Sequence, residues 1–147
     1  MKMTTKGRYA VTAMLDLALQ YGQKPTPLAD IAERQDLSLS YLEQLFAQLR
    51  RAGLVSSTRG PGGGYNLKLA PEDIPVSAVI KAVNEQLPQT DDQKGPCYLS
   101  QMWEELSTEI EHFLDSLSLA DVLASVEVRN VAERQQRIFL EKHKLSA

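Results

Sequence analysis

Apolar residues recur along this chain with two periods, and the switch between them marks the elements. Between Thr4 or Thr5 and about Tyr21, the residues Tyr9, Ala10, Ala13, Met14, Leu17 and Ala18 fall at three- and four-residue steps. That is the stripe of an amphipathic helix opened by a threonine cap and closed at Gly22. Thr26-Pro27 opens a second, shorter helix, with Leu28, Ile31 and Ala32 expected inward and Asp30, Glu33 and Arg34 expected in solvent. Asp36-Leu37-Ser38 is a turn. A third helix follows, with Leu42, Leu45, Phe46 and Leu49 as its buried stripe and Ser40, Tyr41, Glu43, Gln44, Gln48 and Arg51 off that stripe. Gly53 is expected to stop it as a left-handed cap. The period then shortens to two. Val55-Ser56-Ser57 and Tyr65 to Leu69 read as strands joined by the tight loop Arg59-Gly60-Pro61-Gly62-Gly63-Gly64.

Past Ala70–Pro75, which breaks regularity, the helical period returns. Val76 to Glu85 is a short helix with Val76, Val79, Ile80 and Val83 inward, and residues 86–96 are a loop. Leu99 to Leu117 is a long helix carrying Met102, Trp103, Leu106, Ile110, Phe113, Leu114 and Leu117 on one side. Ser118 starts a further short helix reaching about Val126. From Glu127 the chain is charged and weakly periodic, and is expected to be a mobile tail or a marginal helix. The expected organisation is residues 1–75, then 76–126 with the long helix, then the tail 127–147.

A short helix, a turn, a longer helix and a glycine-tipped hairpin form the pattern of a winged helix-turn-helix, mainly α with a small β-wing. Its second helix of the pair enters the major groove of DNA. The net charge of −3 speaks against a nucleic-acid binder until its distribution is considered. Residues 1–70 hold nine basic against five acidic side chains, and the remainder seven against fourteen. Only the front half is suited to phosphate.

The single cysteine excludes an internal disulfide framework and fits a reducing cytoplasm. No apolar run approaches the ~20 residues of a membrane span, and Arg8, Thr12 and Asp16 interrupt any secretory signal. There is no Ser–His–Asp set, and the glycine loop lacks the lysine and following helix of a phosphate-binding loop, so an enzyme is not expected. The apolar side of the 99–117 helix exceeds what so small a monomer covers easily. Burying it against a twin gains roughly 1.5–3 kcal/mol per large side chain, so a homodimer is expected.

The stretches TTKGRYAVTAMLDLAL and PLADIAERQDLSLSYLEQLFAQLRRAGLVSSTRGPGGGY, with the Trp103 helix, resemble the IscR-like family of iron–sulphur cluster regulators. The resemblance is close over residues 1–85, looser over 97–126 and absent from the tail. It implies a dimeric winged-helix transcription factor whose partner is double-stranded DNA and whose targets include iron–sulphur assembly genes. The residues make physical sense of that. Ser38 and Ser40 offer hydroxyls at a helix N-terminus to phosphate or base edges, although Ser40-x-x-Glu43 also has the form of a capping box. Tyr41 can reach a phosphate. Gln44 can pair with adenine, and Glu43 can accept from a cytosine amine and reject other bases. Arg59, with Gly60 and Pro61 at the tip of the hairpin, suits a narrow minor groove. Lys6, Arg8, Arg50 and Arg51 suit phosphates.

The resemblance also implies a 2Fe-2S cluster held by three cysteines and a further ligand, usually histidine. This chain departs from that set. Cys97 stands where the last cysteine falls, Ser100 where the histidine is expected, and the loop before them is shorter. Asp91 or Asp92 would offer only oxygen, a poor substitute for thiolate on iron, and His112 belongs on a helix surface. A regulator without a cluster is the expectation, with Cys97 the one residue matching the ligand set. The alternative is a regulator whose DNA binding is set by a protein partner docked on the acidic C-terminal half.

Overall fold

The computed structural model describes residues 4–84 and 97–145. The 85–96 segment, with Asp91 and Asp92, and the side chains of Cys97, Ser100 and Trp103 lie outside the described residues. The elements run α1 (Thr5–Leu19), α2 (Leu28–Gln35), α3 (Leu39–Arg51), β1 (Val55–Thr58), β2 (Gly64–Leu67), a single 3₁₀ turn (Pro71–Asp73), α4 (Val76–Asn84), α5 (Cys97–Ser116), α6 (Leu119–Ala124) and α7 (Val126–Leu145). This is the expected mainly helical architecture with a small antiparallel wing.

The core forms where the helical stripes converge. Ala10, Ala13, Met14 and Leu17 of α1 meet Ile31 of α2, Leu42, Leu45, Phe46 and Leu49 of α3, and Val79, Ile80 and Val83 of α4, nearly all without solvent exposure. Thr4 caps α1, accepting from the Gly7 amide at 3.0 Å. After α2, Asp36 turns the chain at φ 53, ψ 51, a left-handed conformation its short polar side chain tolerates. Gly53 ends α3 as expected, and Leu54 N–H reaches back to the Leu49 carbonyl at 3.1 Å. Ser118 and Asp121 close a reciprocal capping box on α6.

Three expectations are corrected and a fourth is narrowed. Arg34 does not face solvent: it donates in bidentate fashion to Asp16, at 2.8 and 3.0 Å, and the two side chains are 6% and 2% exposed. The helical stripe of α1 brings Asp16 to the α2 side, and a carboxylate buried there requires a cation. Gln48 does not face outward either: it is half-buried. Tyr9, read as core, is 39% exposed. The charged tail, expected as a mobile segment or a marginal helix, is the helix α7, which returns along α1 and α2. Gln20 donates to Gln136 at 3.2 Å, Gln35 donates to Gln135 at 3.0 Å, and Phe139 lies 4.7 Å under the Arg34 guanidinium. Those contacts supply the anchoring that a weakly periodic sequence does not advertise.

Candidate nucleic-acid interface

Helix α3 begins at Ser38, whose hydroxyl accepts from the Tyr41 amide at 3.4 Å. The cap is therefore Ser38, and the capping box on Ser40 does not form. Ser40 lies inside the first turn with its hydroxyl 3.1 Å from that of Ser38. Both serines, Glu43 and Gln44 are exposed, while Leu42, Leu45, Phe46 and Leu49 are wholly buried. One face of α3 is thus spent on the core and the other is polar and accessible. Tyr41 is half-exposed at the boundary, its ring edge-on to Tyr9 with centroids 5.9 Å apart. Partial burial, reinforced by Tyr9, pushes its phenol above the ordinary value. It stays protonated at neutral pH and so remains a hydrogen-bond donor.

The wing is set by close backbone approach. Strands β1 and β2 pair from Val55↔Leu67 to Thr58↔Gly64, and Gly63 N–H closes the turn onto the Gly60 carbonyl at 2.9 Å. A β-carbon on Gly64 would lie 2.4 Å from the Thr26 carbonyl group, so only glycine fits. The reason is an additional rung. Tyr65 and Thr26 exchange both N–H···O bonds at 2.9 Å, joining the wing to the loop between α1 and α2. The Tyr65 ring packs against Phe46 of α3 at 5.0 Å. Arg50, at the far end of α3, donates to Ser57 of β1 at 3.3 Å. Recognition helix, α1–α2 loop and wing therefore share one anchor, Tyr65.

At the tip, Arg59, Gly60 and Pro61 are exposed, as are Arg8, Arg50 and Arg51; Lys6 is half-exposed. Ser38, Ser40, Tyr41 and Gln44 line one open groove together with Tyr9. Sequence reasoning missed Tyr9 and Tyr65. The first has helical core spacing and the second strand alternation, and neither pattern distinguishes a surface neighbour of α3 from a core residue.

The donor set for a metal or cluster is thin. The chain holds one cysteine and two histidines. His112 is exposed on α5, and His143 at the end of α7 contacts Glu33 at 2.9 Å. Among the described residues no three His, Cys, Asp or Glu side chains stand together as metal ligands. One thiolate per chain does not furnish the four ligands of a 2Fe-2S cluster, so the residues present do not fit that group.

A family model described as Rrf2, iron-dependent transcriptional regulator, matches residues 3–125. The chain belongs to the Rrf2 family. Among its relatives, the HTH-type transcriptional regulator IscR of Aliivibrio salmonicida is 54% identical, over 92% of this chain and 84% of the relative. The IscR of Vibrio cholerae is 51% identical, over 92% and 82% respectively. Of solved structures, T. potens IscR superposes with a TM-score of 0.70 at 46% identity, covering 84% of this chain and 86% of that one. The oxidized form of Staphylococcus aureus CymR gives 0.75 at 36%, covering 86% and 98%. The fold is that of the winged-helix Rrf2 regulators, and the chain is a DNA-binding transcriptional regulator like its IscR relatives. These relatives are regulators rather than catalysts, and they do not favour the alternative in which a docked protein sets DNA binding. No described helix is long and apolar enough to cross a membrane.

Proposed function

We propose that this Rrf2 regulator works in the cytoplasm as a homodimer that grips operator DNA with α3 in the major groove and the wing in the minor groove. The carrying observation is the shared anchor: Tyr65 is tied to Thr26 and packed on Phe46, so the accessible face of α3 and the Arg59 tip move as one body. A rigid spacing between two groove readers is what simultaneous engagement requires. Ser38, Ser40 and Tyr41 take phosphates or base edges, and Gln44 and Glu43 read adenine and cytosine. Lys6, Arg8, Arg50 and Arg51 neutralise the flanking backbone. Dimerisation through α5 is supported by the apolar line Met102, Leu106, Ile110 and Phe113, exposed by 51, 42, 38 and 64% in the single chain. The resemblance to the IscR-like regulators points to promoters of iron–sulphur cluster assembly genes.

Fluorescence anisotropy on an operator recovered by site selection tests the grip. Arg59→Ala is expected to weaken binding by roughly 1–3 kcal/mol, and unchanged affinity would remove the wing. The donor set supports DNA binding without a resident cluster. An anaerobic visible spectrum with iron and acid-labile sulphide assays decides that point: stoichiometric iron and sulphide overturn it.

A further inference from the structure

Helix α2 is short, and Leu28 and Ala32 cover the core only in part. It is 8 residues long and only Ile31 among them is buried. Yet its last residues, Arg34 and Gln35, directly precede the Asp36 pivot, and Ser38 two residues later starts the recognition helix. Whatever fixes Arg34 and Gln35 therefore fixes where α3 begins. Two groups do so. One is Asp16 of α1, which accepts from Arg34 at 2.8 Å and from Gln35 at 2.8 Å. The other is α7, outside the 3–125 family match. Its Phe139 ring faces the Arg34 guanidinium at 4.7 Å, and its Gln135 accepts from the same Gln35 amide nitrogen at 3.0 Å. A guanidinium shielded from water by an aromatic face gains attraction and cannot exchange its carboxylate for solvent. Elsewhere α7 meets Gln20 at the end of α1 through Gln136 and Glu33 of α2 through His143, and between it, α1 and α6 lies an open cleft of about 270 Å³ walled by Leu15, Leu19, Leu123 and Val131. The polar clamp, rather than a packed core, is what holds α7 to α2.

We infer that α7 is a positioning helix for the DNA-reading unit: Phe139 and Gln135 lock the Asp16–Arg34–Gln35 cluster and thereby hold the helix-turn-helix turn at residues 34–38. It acts at a distance, through α2. The inference rests on α3 being the DNA reader, and the test separates the two.

In the full-length chain, Phe139→Leu combined with Gln135→Ala removes the ring face and the acceptor while keeping apolar bulk. Operator affinity is expected to fall about three- to tenfold, with weaker discrimination against random duplex, and Phe139→Tyr alone to behave as wild type. Without DNA, backbone amides of residues 34–38 are expected to exchange faster in the double variant while those of the α1 core stay protected. A second measurement needs no variant. Coupling is reciprocal, so adding operator to the wild-type protein is expected to slow amide exchange in α7. Unchanged exchange at 34–38 in the double variant, or no response of α7 to operator, overturns the inference. Failure of the wild type to bind duplex DNA would instead count against the DNA-reading assignment, leaving the 34–38 measurement to decide the role of α7.

Discussion

The α1–wing unit and the α5–α7 segment use the same kinds of residue to opposite ends. In the first, the apolar stripes of three helices close on one another, and Phe46, Met14 and Leu45 are wholly buried. In the second, α5 presents Ile110 and Phe113 to solvent, and among its residues with described side chains only Leu114 is buried. An amphipathic helix that finds its complement inside the chain builds a domain. One that does not is left with a surface suited to another molecule. The front half also owns its electrostatics, with Asp16 and Arg34 paired internally, whereas the Lys81–Glu111 pair between α4 and α5 stays at the surface, its side chains 52 and 37% exposed.

The contrast can be broken most sharply with two phenylalanines. Phe46→Ala is expected to destabilise the fold by about 3–5 kcal/mol in urea titrations, because it leaves a cavity and strips Tyr65 of its neighbour. Phe113→Ala is expected to leave the urea midpoint of dilute, dissociated protein almost unmoved and to appear only in sedimentation velocity, as weaker self-association. Equal effects of the two on folding would erase the distinction. Asp16→Ala should cost about as much as Phe46→Ala, roughly 3–5 kcal/mol, since it strands a buried guanidinium. A loss below 1 kcal/mol would show that Arg34 escapes to water. Gly64→Ala comes next. Its β-carbon collides with Thr26, so the wing must shift, and operator affinity should fall by more than folding stability does.

The smallest expected effect is the pH response of the α4–α5 pair. The hydrogen bond from Lys81 holds the Glu111 carboxyl below its ordinary 4.5, and the same bond raises Lys81 above 10.5. A depressed carboxylate stabilises above its unfolded value and is lost as pH falls through the folded one. A raised lysine stabilises below its unfolded value and is lost as pH rises past the folded one. The difference in Tm between wild type and Lys81→Gln should therefore be small and level near neutrality, and shrink once pH drops below 4.5. A difference that grows on acidification would contradict the pairing.

Periodicity alone located α1, α3, α4 and the stripe of α5, because a three- to four-residue repeat of large apolar side chains has few other solutions. The polar face of α3 was legible for the same reason: once Leu42, Leu45, Phe46 and Leu49 are inward, Ser40, Glu43 and Gln44 must be outward. Arg34 escaped the sequence because charge is a local property, while burial of a charge depends on a partner eighteen residues away and on an aromatic ring more than a hundred residues away. The rung between Thr26 and Tyr65 was invisible too, since backbone pairing leaves no trace in side-chain pattern beyond the glycine beside it.

What the chain's own order of residues determined is the element sequence, the family motif running from α2 through the wing, and the scarcity of thiols, one cysteine where the family resemblance implies three. Local repeats and counts are enough for these. Only the tertiary structure decided that the wing hangs on the α1–α2 loop, that Asp16 and Arg34 neutralise each other under cover, and that α7 returns to seat on α2. Each depends on groups distant in sequence meeting in a place where water is excluded, and no window along the chain contains both partners.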